Sequence, residues 1–122
     1  MNAKLSKLSL VAYLSILATN TWAASIEYKP HVICDKTAGF CADFEGVSVA
    51  LTKMYLGDKA EAKLMTTIKS VGISDFDGTE FTMTGGLTCH TKEKMCWTTR
   101  LREKPDTKAM KTLFDKQSQN SK

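Results

Sequence analysis

The chain has 122 residues, with 17 Lys and Arg against 13 Asp and Glu for a formal net charge of +4. That length allows one small domain and excludes a second one, and it is too short for the large sheet of a hydrolase. The charge is close enough to balance that it points to no strongly basic or acidic partner.

The opening segment, MNAKLSKLSLVAYLSILATNTWAAS, sets Lys4 and Lys7 before an apolar run from Leu8 to Ala18, followed by Thr19, Asn20 and Thr21. This is the three-part plan of a secretory signal peptide. Small side chains at the last and third-last positions, Ala23 and Thr21, place cleavage after Ala23, whereas a cut after Ala24 would put Trp22 at the third-last position. The apolar run is about half the roughly 20 residues of a membrane-spanning helix, so no stable membrane anchor is expected. The expected organisation is a signal peptide over 1–23, a single small α+β domain over 24–117 and a disordered tail over 118–122. Loss of Lys4 and Lys7 leaves 15 basic and 13 acidic residues. Residues 24–91 hold six Lys against nine acids, and residues 92–122 hold nine Lys and Arg against four acids.

Ile26 to Cys34 alternates loosely and contains Pro30, which has no N–H for a ladder, so it is predicted as an edge strand or an extended arm. Phe44, Val47, Val49 and Leu51 follow a period near two and predict a half-buried strand, with Gly46 as a bulge. The period then changes. GDKAEAKLMTTIKS has Asp58 as N-cap, Glu61 as capping-box partner and Leu64, Met65 and Ile68 at helical spacing, predicting a helix over about 59–69 that ends before Gly72. Asp77-Gly78 is a hairpin signal that would place Phe76, Phe81 and Met83 on one face. Gly85 and Gly86 break that strand. The segment from Leu87 to Arg102 then predicts a second hairpin, with Trp97 in the core. Pro105 and Asp106 open a short helix that carries Met110, Leu113 and Phe114 on one side and Lys108 and Lys111 on another. These elements predict an α+β fold, an antiparallel sheet of hairpins with one or two short helices.

Cys34 and Cys41 are separated by six residues, and so are Cys89 and Cys96. Neither pair has the two-residue separation of a thioredoxin-type redox centre or the two to four of a zinc claw. An even count in an exported chain points to two disulfides, for which three connectivities exist. Loop-closure entropy favours long-range pairing, about 4 kcal/mol against about 2.5 for an eight-residue loop. Hairpin geometry and proximity favour the local pairs, with Gly39 and Lys94 each at a loop position that wants positive φ.

Three further segments invite a chemical reading. GVSVA, around Ser48, has the glycine and serine spacing of a nucleophile elbow, but it lies in a strand pattern, and an outward-facing strand serine explains it. DFDGTE gathers Asp75, Asp77 and Glu80, yet Ile73 and Thr84 stand where a calcium loop needs oxygen ligands. His31 and His90 are the acid–base candidates, and neither shows a partner constellation. No metal and no cofactor are expected. The basic C-terminal helix is predicted to dock on the sheet in preference to a membrane, and an exported chain meets no nucleic acid.

The run HVICDKTAGFCADFEGVSVALTKMYLG, together with GGLTCHTKEKMCW, resembles the Fels prophage protein-like family of small exported enterobacterial proteins. The resemblance implies a periplasmic location in a Gram-negative cell and transfers no catalytic residue. From the residues themselves, the first functional expectation is a non-enzymatic binding module of the periplasm. Its stapled loops would present Lys36, Thr37, Lys92 and Lys94 to an unknown protein partner, with less ordering entropy lost on binding. A narrower version is an inhibitor of a periplasmic or extracellular hydrolase. The alternative class is a small enzyme or metal-binding protein using His90 or the acidic turn at Asp77.

Overall fold

The computed structural model describes residues 25–115, so the signal-peptide and disordered-tail expectations lie outside the described residues. Four antiparallel strands in spatial order form the first sheet: β1 (Ile26–Lys29), β2 (Val32–Asp35), β3 (Phe40–Asp43) and β4 (Gly46–Ser48). Helices α1 (Val49–Leu56) and α2 (Asp58–Val71) follow. A second antiparallel sheet holds β5 (Glu80–Thr82), β6 (Thr88–His90) and β7 (Met95–Trp97), and α3 (Thr107–Phe114) comes last. Among the described residues the expected α+β class is what is observed, with two sheets in place of one and three α-helices in place of one or two.

Both local disulfides are formed, and no described cysteine is left free. Cys34 faces Cys41 and Cys89 faces Cys96 across their ladders, each pair with Cα atoms 4.1 Å apart, and all four residues are fully buried. The two loops share one design of four residues with a left-handed fourth position, filled by Gly39 at φ 85° and by Lys94 at φ 56°. In the first hairpin Asp35 is completely buried. Its Oδ1 accepts the N–H groups of Thr37 and Ala38 at 3.0 Å each, which folds the loop back on the strand. Its Oδ2 accepts the Thr84 N–H at 2.6 Å from the turn between β5 and β6, tying the two sheets together.

The predicted strand through Leu51 stops at Ser48, and Val49 and Leu51 belong to α1. Two hydroxyls cause the switch. Ser48 Oγ accepts the Leu51 N–H at 3.1 Å as N-cap, a bond that helix starts favour. Thr52, fully buried, donates to the Ser48 carbonyl at 2.7 Å and accepts the Cys41 N–H at 2.9 Å, binding the helix to β3. Gly57 separates the helices and caps α2, so Asp58 is the first helical residue instead of the cap; Gly72 ends the helix as expected.

The Asp77-Gly78 hairpin is not formed. Phe76 and Asp75 donate to the Gly72 carbonyl, and the Gly78 carbonyl accepts the Val47 N–H at 2.9 Å, so this segment abuts β4. Gly46 is where that contact needs glycine rather than a bulge: its φ is 117°, and a Cβ there would lie 2.2 Å from the Gly78 oxygen. Gly85 and Gly86 serve as the turn of the β5–β6 hairpin, closed by bonds between Met83 and Leu87 and between Gly86 and Met83. Pro30 and His31 form the two-residue turn between β1 and β2, where proline fixes the first position and His31 takes the positive φ of 65° that the second requires.

The core lies between the sheets. Ile33 and Ala42 meet Phe81, Cys89 and Cys96, with Leu113 of α3 closing one side. Phe40 stands edge-on to Phe81 with ring centroids 6.0 Å apart. On the other face of the first sheet, Cys34 and Cys41 pack with Leu51 and Leu56 of α1. The docked reading of the last helix holds, with Asp106 as its N-cap and Ala109 and Leu113 buried.

Asp35→Asn keeps the acceptor for the loop but turns an amide donor toward the Thr84 N–H. It is expected to lower unfolding stability by about 2 kcal/mol, and Asp35→Ala by about 3, because buried polar groups lose their partners. Urea midpoints at constant slope test this, and a loss under about 0.5 kcal/mol for Asp35→Ala would refute it.

Candidate binding surface

The four loop residues singled out from the sequence fall into two separate places. Lys36 and Thr37 sit on the first hairpin tip, which the Asp35–Thr84 bond holds beside the β5–β6 turn. The second tip, with Lys92 and Lys94 exposed, is at the other end of the second sheet. There the Thr91 N–H donates to the Thr79 carbonyl at 2.8 Å, next to Gly78 and the start of β4. The first tip is engaged within the fold: Thr37 Oγ1 lies 2.8 Å from Ser25 Oγ, and Lys36 Nζ lies 3.6 Å from Glu27.

Beside the second tip the outer face of the second sheet gathers side chains of mixed charge. Cys89 and Cys96 point into the core, so the strand alternation turns Thr88, His90, Met95 and Trp97 to the other side. Trp97 is buried, as expected of a core residue, with its ring on this side of the sheet. The Arg102 guanidinium lies 4.8 Å over its ring, and Nη2 donates to Glu80 Oε1 at 3.1 Å. Residues 98–104 form the strap that brings Arg102 there: the Thr98 N–H donates to the Lys104 carbonyl, Asp106 N–H donates to the Cys96 carbonyl, and Arg102 has φ 58°.

His90 occupies the centre of this face. Its Nε2 lies 3.7 Å from Glu80 Oε1, the oxygen that Arg102 also reaches, and its Nδ1 lies 2.9 Å from Glu93 Oε2. Nδ1 is buried, and its approach to Glu93 lies outside hydrogen-bond alignment. The two carboxylates address opposite nitrogens of one ring. They cannot converge with it on a single ion, and among the described residues no group of three or more His, Cys, Asp or Glu is placed to hold a metal. Cys89, next to His90, is disulfide-bonded and supplies no thiolate.

The acidic turn does not gather its carboxylates either. Asp77 turns onto Thr79, accepting both the hydroxyl and, at 3.0 Å, the backbone N–H. The Thr79 hydroxyl bond is the main reason that the Asp77 carboxyl titrates below its ordinary range; the Thr79 N–H bond comes next, and the charges of Lys92 and His90 add to it. Ser48 spends its hydroxyl on the α1 cap. Away from this surface, burial and then Asp106 push the Tyr28 hydroxyl above its usual value, and Lys108 Nζ sits 4.0 Å over the Tyr28 ring.

Trp97 and Glu80 were within reach of sequence reasoning once the Cys89–Cys96 ladder is accepted, since alternate positions must then face outward. Arg102 carries no sequence signal, because its place depends on the path of the strap.

A lowered Asp77 pKa stabilises the fold above the ordinary carboxylate range, and that contribution is lost as pH falls through the folded-state value. Carboxyl NMR should therefore show Asp77 titrating below an ordinary exposed aspartate, and Thr79→Val should move its midpoint upward. An unmoved midpoint would disprove the hydroxyl's role.

Residues 26–114 match the family model described as YcgJ protein, which spans the chain from the start of β1 to the end of α3. A curated relative, the uncharacterized protein YcgJ of Escherichia coli (strain K12), is 37% identical over 65 residues. The aligned part is 53% of this chain and 47% of the relative, so the chain spans about half the length of the curated relative it matches. No solved structure matches. These matches do not show the expected resemblance to the Fels prophage protein-like family; they support only the coarser expectation, a relative that is itself uncharacterised. By the extent of the match over both sheets and all three helices, this chain belongs to the YcgJ family.

Proposed function

We propose that the protein is exported to the periplasm and acts there as a non-enzymatic binding module. Its contact surface is the second hairpin tip with the adjoining outer face of the second sheet. The observation that carries this reading is the disposition of that tip: Lys92 and Lys94 are exposed on a four-residue loop whose flanking strands are locked by the buried Cys89–Cys96 disulfide. A loop held in this way loses little conformational entropy on binding. Glu80, Glu93 and Arg102 surround it with hydrogen-bonding groups of both signs, the composition of a polar recognition rim. The leader-like segment 1–23 and the two disulfides support an oxidising destination. Lys36 and Thr37, at the opposite end and engaged within the fold, are assigned a structural role.

Intact mass of the protein from a periplasmic extract, without reductant, should give a chain beginning at Ala24 and lighter by four hydrogens than its reduced form. A chain retaining residues 1–23 would overturn the exported reading. With a partner in hand from cross-linking in that extract, the Lys92→Glu/Lys94→Glu variant should bind about tenfold more weakly or worse at an unchanged melting temperature. Lys36→Glu should bind as the parent does, and the reverse pattern would move the contact surface to the first tip.

A further inference from the structure

Strand β1 is the outermost strand of the first sheet, paired with β2 on one side and, among the described residues, with no strand on the other. Lys29 and Val32 close a two-residue turn and so form a hydrogen-bonded pair. Alternation along the ladder then gives Glu27 and Ser25 the backbone groups that point toward β2, as the Lys36 N–H donating to the Ser25 carbonyl at 2.8 Å shows. The N–H and C=O of Ile26 and Tyr28 therefore point outward from the edge. The side chains divide the same way: Ile26 and Tyr28 pack against the core, while Glu27 and Lys29 lie on the opposite face with Nζ and Oε1 3.7 Å apart.

We propose that this edge pairs with a second copy of the chain, the two β1 strands running antiparallel about a two-fold axis at Tyr28. In that register each Tyr28 exchanges its N–H and C=O with Tyr28 of the second copy. Glu27 then stands directly opposite Lys29 of the second copy, twice over. A two-fold interface requires such self-complementarity, and opposite charges across a ladder stabilise it. The neighbouring registers fail: an axis at Glu27 sets like charges opposite each other and the inward-pointing backbone groups face to face, and an axis at Ile26 leaves Lys29 without its opposite number.

A short edge strand bearing lysine is ordinarily guarded against pairing. Here the guard is cancelled by a carboxylate two residues away. In one copy Glu27 is shared between Lys29 and Lys36 at the surface, where such pairs contribute little, so redirecting it to the second copy costs little. Tyr55, exposed beside Lys29 with Nζ 5.5 Å from its ring, extends the surface with apolar area. The patch is still small, which makes the dimer a concentration-dependent one.

Sedimentation equilibrium of the exported protein from about 10 μM to about 1 mM tests it. The parent is expected to rise toward twice the monomer mass over that range. Lys29→Glu and Glu27→Lys should each weaken the dimer by about tenfold or more, and the double variant Glu27→Lys/Lys29→Glu should restore it to within about threefold, because the swapped charges are again opposite. Thermal unfolding at low concentration confirms that each variant is folded. A parent that stays monomeric throughout overturns the proposal and leaves the edge to an extended segment of another protein. A dimer indifferent to both charge reversals overturns it as well.

Discussion

The carboxylate of Asp35 is the constraint on which the rest of the domain depends. It is wholly removed from water and carries no ion pair among the described residues; its two oxygens are met by three backbone N–H groups and, at 3.4 Å, by the Ser25 hydroxyl. A carboxylate in that position repays its desolvation only when each donor is in place. The loop from Lys36 to Gly39 and the turn at Thr84 must therefore form together, which couples the first sheet to the second at a point where no covalent bond links them. Thr52 performs a similar task at the back of the first sheet, where its hydroxyl joins α1 to β3 by donating to one carbonyl and accepting one N–H.

Small domains bury too little apolar surface for a generous margin of stability, and the placement of the staples fits that limit. Each disulfide closes only eight residues, so its entropic effect is modest, about 2.5 kcal/mol in the chain-entropy model. The larger consequence is register. A one-residue slip in a ladder sends every side chain to the wrong face, and a cystine opposite its partner forbids the slip. With strands of three and four residues, hydrogen bonds alone specify register weakly.

The features legible in the sequence were those fixed by local chemistry. The cystine hairpins with Gly39 and Lys94 in left-handed positions, the helix ended by Gly72 and the helix opened by Asp106 all follow from residues a few places apart. The misread segments were settled by distant partners. Val47, Val49 and Leu51 have strand spacing, but the Ser48 cap and the buried Thr52 hydroxyl make the last two helical. Asp77-Gly78 has the composition of a hairpin turn, yet its carbonyl is taken by Val47, thirty-one residues earlier. At the candidate surface His90, Lys92 and Lys94 were legible as loop-side residues, while the strap that lays Arg102 across Trp97 was not.

Both hairpin tips expose lysine, but they are held in different ways. Their loops have the same length, the same left-handed fourth residue and the same cystine spacing. They differ in phase relative to the core. Cys34 and Cys41 face α1, so the next residue, Asp35, is turned toward the second sheet and buried. Cys89 and Cys96 face the core, so the next residue, His90, is turned outward between Glu80 and Glu93. Period-two alternation makes this inversion unavoidable once the face of each disulfide is set. The inward phase of the second cystine thus leaves its loop with no buried carboxylate to clasp it, and frees Lys92 and Lys94 at the end of a rigid ladder.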